Sequence, residues 1–342
     1  MRAKAVGSYV GLPISDPASF KDVTIEVPAP TGRDVLVEIQ AVAVNPVDTK
    51  QRQGQSATAI PRILGFDAIG KVIAVGETVT TIMTDDVVYY AGDVTRPGSN
   101  AQYQLVDERL IALAPKTWSI TDAVGLPLTA LTAWEALFEK LGWQAQAQAN
   151  QGHSVLIING AGGVGSIAIQ LAKWAGLTVI TTAGQAKTKA WVQNLGADVV
   201  LDYHEDLGSQ LQAHGITTVD SALLLHSTDR YLPLVAPLMR PLSTIVAVVT
   251  NAQPLPMALL KNKGLNFAWE FMFTKSQYQL PELATQGMML ARVAQLADDG
   301  DLQATTQQII TGLNAANLKQ AHQIVETGQM LGKLVLTTDF EA

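Results

Sequence analysis

Residues 154–176 read SVLIINGAGGVGSIAIQLAKWAG, and this stretch decides the fold. The run HSVLIIN is apolar on both faces, as a strand buried inside a parallel sheet must be. Gly160, Gly162 and Gly165 then follow in the spacing G-x-G-x-x-G. From Gly163 the chain reads as a helix with Ile167, Leu171 and Ala175 on one face, stopping at Gly176. Between a strand and a helix each glycine has its own reason. The first allows a sharp turn, the second lets a pyrophosphate approach the backbone, and the third lets helix and strand pack closely. The helix start offers free N–H groups and the positive end of its dipole to phosphate. The spacing by itself fits a merely structural turn as well, so the neighbouring segments decide between the two.

Downstream, LTVITTA, ADVVLDY, TVDSALLLHS and LSTIVAVVT read as four further strands and LNFAWEFMF as a sixth. The segment AKTKAWVQNLG is a helix between the second and the third. Alternation of this kind predicts an α/β fold with a doubly wound parallel sheet, and it favours nucleotide binding at the glycines. Upstream, KDVTIEV, DVLVEIQAVAV, AIGKVIAVG, DVVYYAG and AQYQLV are short, closely spaced β-like runs, which predict a compact barrel or sandwich. LTALTAWEALFEKL (128–141) carries Leu131, Trp134, Leu137 or Phe138, and Leu141 on one helical stripe. WQAQAQANQG (143–152) reads as helix tail and loop. After Gln277 come two amphipathic helices, in MMLARVAQLADDG and NLKQAHQIVETG, and a last strand, GKLVLTT.

The kind of nucleotide is read from the segment after the second strand. An acid that grips a ribose diol belongs about 20 residues beyond the glycines. There the chain reads ITTAGQAKTKA (180–190), with no carboxylate. Thr182, Gly184, Gln185 and Lys187 are the candidate contacts of this rim: Gly184 and Gln185 leave room, while Lys187 and Lys189 bring positive charge. A 2′-phosphate needs cations, so the rim favours NADPH over NADH. The same lysines also fit ordinary solvated helix positions.

Composition bounds the rest. The 342 residues are 48% hydrophobic and 15% charged, with a net charge of -7, which suits a soluble α/β enzyme of two domains. No basic run is present, so neither nucleic acid nor an anionic membrane surface is an expected partner. There is no cysteine, hence no disulfide, no thiolate metal site and no cysteine nucleophile. The N-terminal MRAKAVGSYVGLPISD lacks a signal-peptide core and no 18-residue apolar run follows, so a cytoplasmic protein is the expectation. His153, His204, His214, His226 and His322 show no i,i+4 pairing and sit with no carboxylate cluster; surface or satisfied-core roles are expected of them.

The motifs AVAVNPVDTK (41–50), PRILGFDAIGKVIAVG (61–76), VGLPLTALTAWEAL (124–137), INGAGGVGSIAIQLAKWAG, LGADVVLDY (195–203) and GKLVL (332–336) occur in an order and spacing that resemble the medium-chain dehydrogenase/reductase superfamily, in its quinone oxidoreductase-like branch. The resemblance covers nearly the whole chain. WEFMFTKS (269–276) further resembles the zinc-type alcohol dehydrogenase-like subgroup. It implies a GroES-like β-barrel catalytic domain over residues 1–125, a Rossmann NADP-binding domain over 126–270, and a return to the catalytic domain over 271–342. It also implies a homodimer built by edge pairing of Rossmann sheets. By the same resemblance Asn45 lies beside nicotinamide and substrate, and Asp48 orders that loop. Thr129 touches the nicotinamide half of the cofactor, and Gly162, Gly163 and Val164 line the pyrophosphate. Tyr203 lies near the adenosine phosphate, and Lys333 reaches toward the cofactor.

The departures decide the chemistry. Zinc-dependent relatives have a Cys-His pair where this chain has Asn45-Pro46, and Gly-His-Glu where it has Gly65-Phe66-Asp67. Together with the missing cysteine, these leave no expected catalytic zinc site. Related quinone reductases carry a tyrosine at the position of Lys50, so Lys50 is either a substitute proton donor or an exposed loop residue. Asp67 has a quieter reading, as a carboxylate capping turns. Without a Lewis acid, oxidation of a simple alcohol is disfavoured. Hydride addition to a quinone or an α,β-unsaturated carbonyl spreads its charge over an enolate or hydroquinone, which hydrogen-bond donors can hold. NADPH-dependent reduction of such a substrate is therefore the expected activity. The alternatives are a zinc-independent ketone or aldehyde reductase and a non-catalytic NADPH-binding protein. Trp269, Phe271 and Phe273 alternate as in a strand, and one shared face predicts a substrate wall or a packing surface.

Overall fold

A computed structural model describes residues 1–340. The chain divides into two compact units. One comprises Met1–Leu131, Phe273–Gly300 and the residues from Ala304 onward; the other comprises Thr132–Met272 with Asp301–Gln303.

Eight strands come first: β1 (Arg2–Ser8), β2 (Lys21–Glu26), β3 (Asp34–Val44), β4 (Arg62–Ile63), β5 (Asp67–Val75), β6 (Val87–Tyr90), β7 (Tyr103–Asp107) and β8 (Ala112–Leu113). Six follow: β9 (Ser154–Ile158), β10 (Thr178–Thr182), β11 (Val199–Leu201), β12 (Val219–Leu224), β13 (Met239–Ala247) and β14 (Asn266–Trp269). The last two are β15 (Thr306–Thr311) and β16 (Lys333–Thr337). The helices that matter for the site are α1 (Pro46–Gln53), α2 (Pro127–Trp134), α3 (Gly163–Trp174) and α4 (Ala186–Asn194).

The second unit holds a six-stranded sheet in the order β11-β10-β9-β12-β13-β14, with every pairing parallel. Its middle strand runs through Val155, Leu156, Ile157 and Ile158, all fully buried, which is why this stretch shows no alternation of polar and apolar residues. The α/β doubly wound architecture read from the sequence is what the chain forms. The sixth strand is shorter than LNFAWEFMF. Its partner β13 ends at Ala247, opposite Trp269, so the backbone beyond Trp269 has no ladder to join. Consequently Trp269, Phe271 and Phe273 do not share a face: they are 42%, 43% and 1% exposed, and Phe273 instead packs on Phe66 at 4.5 Å between ring centroids.

In the first unit, a seven-stranded sheet runs β15-β16-β3-β5-β6-β8, with β7 also paired to β3; a three-stranded sheet runs β2-β1-β4. β3 is the organiser. It is antiparallel to β16, β5 and β7, and its Val35, Val37, Ile39, Val42 and Val44 enter one core with Val72, Val88, Leu334 and Leu336. β15 had no signal in the sequence because its run TQQIIT is mostly exposed at a sheet edge, so burial imposes no alternation on it. The helix read over 128–141 exists, but after α2 it continues as a π-helical segment, Glu135–Lys140.

Candidate active site

The glycine turn is built by the Rossmann unit alone. At the end of β9 the left-handed backbone falls on Asn159 (φ 69°), not on Gly160. Thr182 holds that turn by accepting a hydrogen bond from the Asn159 N–H at 2.9 Å. Gly160 is required for a different reason than the turn: a Cβ there would stand 2.1 Å from Thr181 Oγ1, which is buried and donates to the Ile157 carbonyl at 2.7 Å. At Gly165 a Cβ would stand 2.4 Å from the Asn159 carbonyl oxygen and 2.6 Å from the Gly160 Cα, so helix and strand do pack through this position. Gly162 is different. A Cβ there meets nothing closer than the end of the Asn159 side chain, at 3.1 Å. Internal packing therefore accounts for Gly160 and Gly165 and leaves Gly162 without a steric reason inside the protein. Gly162 is the N-cap of α3, no side chain caps that helix, and Gly163 and Val164 in its first turn are half-buried. Uncapped N–H groups at the start of a twelve-residue helix fit a pyrophosphate.

The rim beyond β10 is set by Gly184. A Cβ at Gly184 would lie 2.5 Å from Tyr203 Cζ, so the Tyr203 ring rests directly on this backbone. Gln185 caps α4 and is exposed. The two rim lysines prove unequal. Lys189 forms an ion pair with Asp202 at 2.8 Å, and that ammonium holds the Asp202 carboxyl below its ordinary value. Lys187 is exposed and makes no ion pair among the described residues.

The second cluster lies in the other unit, where three strands of one sheet begin or end together. β3 finishes at Val44, β16 begins at Lys333 and β5 begins at Asp67; the registers Val44↔Leu334 and Ala43↔Asp67 bring Asn45, Lys333 and Asp67 to one place. Asn45 Nδ2 donates to Asp67 Oδ2 at 2.8 Å. Lys333 Nζ donates to Asn45 Oδ1 at 2.5 Å and to Asp67 Oδ2 at 2.9 Å. Asp67 Oδ1 accepts from the Leu128 N–H at 2.7 Å, which caps the start of α2. All three side chains are at most 3% exposed. Asp67 thus does more than cap a turn: it joins the ammonium, the amide and a helix terminus. Its signal in the sequence was its place at the zinc-ligand motif, but the partner that gives it meaning lies 266 residues away.

Asp48 is buried beside this cluster and accepts the Asn45 N–H on Oδ2 at 2.7 Å, while its Oδ1 has no partner. Burial pushes its carboxyl up from 3.8 to about 7, assisted by the Asp67 charge and opposed by the Asn45 hydrogen bond and by Lys333. The Thr129 hydroxyl donates back to the Leu126 and Gly125 carbonyls at 2.9 and 3.1 Å, so Thr129 offers a ligand an acceptor only. Lys50 lies on the exposed face of α1 and makes no hydrogen bond or ion pair with the cluster.

A zinc ion does not fit these residues. Asn45 has both ends of its amide engaged, with an ammonium 2.5 Å from the oxygen that would face a cation. Phe66 brings a buried ring and no donor atom. Among the described residues no three His, Cys, Asp or Glu side chains gather into a metal-binding group. His322 departs from the expected satisfied core: it is fully buried, neither ring nitrogen has a hydrogen-bond partner, and burial with the nearby Arg52 charge lowers its pKa to about 3, keeping it neutral.

Two family descriptions match the chain, an alcohol dehydrogenase GroES-like domain over residues 31–116 and a zinc-binding dehydrogenase over 195–336. The chain is 43% identical over 333 residues to a zinc-type alcohol dehydrogenase-like protein of Staphylococcus aureus (strain MSSA476), covering 97% of this chain and 99% of that one. The crystal structure of a Rhizobium etli CFN 42 protein assigned to the zinc-dependent alcohol dehydrogenases superposes with a TM-score of 0.95 at 39% identity, over 100% of this chain and 99% of that one. Over 219 residues, 60% of this chain and 53% of the other, it is 36% identical to an Arabidopsis thaliana chloroplastic protein named an NADPH-dependent alkenal/one oxidoreductase. With a GroES-like unit, a Rossmann unit that suits a nicotinamide cofactor, and relatives matching end to end, the chain belongs to the medium-chain dehydrogenase/reductase superfamily, among its zinc-type alcohol dehydrogenase-like proteins.

Proposed function

We propose that this oxidoreductase reduces α,β-unsaturated carbonyl compounds or quinones with NADPH and without zinc. The observation that carries the reading is the Asn45–Asp67–Lys333 triangle, in which the Asn45 amide and the Lys333 ammonium donate to the Asp67 carboxylate at the motifs where zinc relatives hold metal ligands. When bound, NADPH supplies a hydride. Addition of that hydride to the β-carbon of an enone moves charge to the carbonyl oxygen, and a donor positioned in advance stabilises the enolate as it forms. A quinone distributes charge in the same way. A simple ketone concentrates it on one alkoxide, where a Lewis acid helps most. The chain's own residues bind and orient: the N–H groups at Gly162, Gly163 and Val164 receive the pyrophosphate, and Tyr203 flanks the adenosine side. The exposed Gln185 and Lys187, with no carboxylate beside them in the sequence, favour a 2′-phosphate. The name of the Arabidopsis relative supports both the cofactor and the substrate class.

The test is absorbance-monitored oxidation of NADPH and NADH against 1,4-naphthoquinone, an enone and a simple ketone, before and after exhaustive chelation. Turnover of quinone or enone with NADPH, undiminished by the chelator, is the expected result. Turnover of the ketone alone would move the reading to a carbonyl reductase. Tight NADPH binding with no turnover would make the protein a binder. A Gln185→Asp variant places a carboxylate at the rim, and its preference should shift toward NADH by about tenfold or more, the loss of one charge-assisted contact. An unchanged preference would remove this rim from cofactor selection.

A further inference from the structure

Three loops of the Rossmann unit leave the carboxyl ends of parallel strands: Gly184 follows β10, Tyr203 follows β11 and Arg230 follows β12. Ligands of such sheets bind in the crevice outside these ends. After β12 the chain turns at Ser227, left-handed at φ 39°, and enters the helix Thr228–Val235. Arg230 lies in the first turn of that helix and is exposed. Its Cζ stands 5.2 Å from the centroid of the Tyr231 ring, which is buried in the core of this unit. Its Nη2 donates to the Tyr203 carbonyl at 3.4 Å. The Tyr203 ring rests on Gly184, so the guanidinium ends beside the rim that this contact sets.

Among the described residues Arg230 meets that carbonyl and that ring and forms no ion pair. The carboxylates nearest to it in these loops are engaged elsewhere. The two Asp229 oxygens accept the N–H groups of Ala252 and Gln253 at 2.9 and 2.8 Å, and Asp202 accepts from Lys189 and from the His204 N–H. A guanidinium laid on a fixed ring keeps its N–H edge in one plane, and Tyr203 uses one of its five donors. We propose that Arg230 is a specificity-determining residue of the cofactor site, whose guanidinium receives the 2′-phosphate of NADPH together with Lys187. The inference rests on the cofactor proposed above and adds a residue from a third loop. A phosphate monoester carries about −1.5 to −2 charges at pH 7, more than the single Lys187 ammonium neutralises once Lys189 is spent on Asp202. Arginine grips such a group through two parallel N–H bonds, and a ribose with a free 2′-hydroxyl offers it no anion.

The test is calorimetric binding of 2′-phospho-ADP-ribose and of ADP-ribose to wild type, Arg230→Met and Arg230→Lys. Methionine keeps an apolar stem on the Tyr231 ring and removes the charge; lysine keeps the charge and loses the fork. Arg230 is exposed, so both variants should fold, and their melting temperatures verify it. Wild type should bind the phosphorylated ligand about tenfold or more tightly than ADP-ribose. Arg230→Met should weaken the phosphorylated ligand by about tenfold and ADP-ribose by less than about twofold, with Arg230→Lys in between. An equal loss for both ligands would overturn the proposal and set the guanidinium against adenine or pyrophosphate. Unchanged affinities in Arg230→Met would overturn it as well. A wild type that binds the two ligands equally removes the NADPH reading and this inference with it. A wild type that prefers the phosphate, with that preference intact in Arg230→Met, removes this inference alone.

Discussion

Gly165→Ala should lower the unfolding free energy by about 3 kcal/mol and abolish cofactor binding, the upper end for overpacking. The added Cβ would lie 2.4 Å from the Asn159 carbonyl oxygen, 2.6 Å from the Gly160 Cα and 2.7 Å from the Gly160 oxygen, all backbone atoms. None of these can swing aside. Asn159 is already left-handed at φ 69°, and its N–H is tied to Thr182 Oγ1. The relief available is for α3 to slide away from β9, which opens the core and moves the N–H groups at its start, the ones proposed to receive phosphate. Gly162→Ala is the control, since its Cβ meets only a side-chain end at 3.1 Å. Its stability should stay within about 0.5 kcal/mol of wild type while its affinity for NADPH falls. Urea unfolding and cofactor titration of the two variants check this. Equal destabilisation by both would mean that Gly162 is a packing glycine too.

Protein stability should fall as pH rises from about 4 to about 7, through Asp48. Its carboxyl ionises near 3.8 when unfolded and at about 7 when folded, so between these values the folded chain holds a proton that the unfolded chain has released. Each unit of pH in that window favours unfolding; below it both states are protonated, and above it both are ionised and the loss is complete. About three units at about 1.4 kcal/mol each give a loss on the order of 4 kcal/mol from this one group. Asp48→Asn keeps an oxygen for the Asn45 N–H and has no proton to lose. Melting curves at pH 5 and pH 8 should lie closer together for the variant than for wild type. Equal separation in both proteins would show that Asp48 is ionised throughout the window.

The Rossmann unit was legible because its physics is local. A strand buried on both faces is a continuous apolar run, and a glycine-spaced turn between such a strand and a helix leaves few readings. The same applies to α3, whose Ile167 and Leu171 are fully buried. What stayed hidden depends on distant partners. The neutralisation of Lys189 required α4 to meet Asp202 after β11. The aromatic run after Asn266 looked like a strand, and nothing in it reveals that β13 stops at Ala247. The meaning of Asp67 required β16 to lie beside β3, and that pairing joins Val44 to Leu334. Asn45 was identified through resemblance, whereas the charges on both sides of its amide came from the folded register.

That register also governs the order in which the protein can become complete. β3 leaves the ribosome early, yet its sheet neighbour β16, and β15 beyond it, come from residues 306–337. Between them in the chain lies a whole Rossmann unit that can fold as a body of its own while the first sheet waits, its edge open. A single cut cannot excise the first unit as one contiguous piece, because residues 1–131 on their own lack the strand that carries Lys333. A translation product stopped before β16 would hold every strand of the parallel sheet and would lack the Lys333 ammonium that donates to Asn45 and Asp67. The Asn45–Asp67–Lys333 triangle therefore closes only after β16, near the end of the chain, has paired with β3.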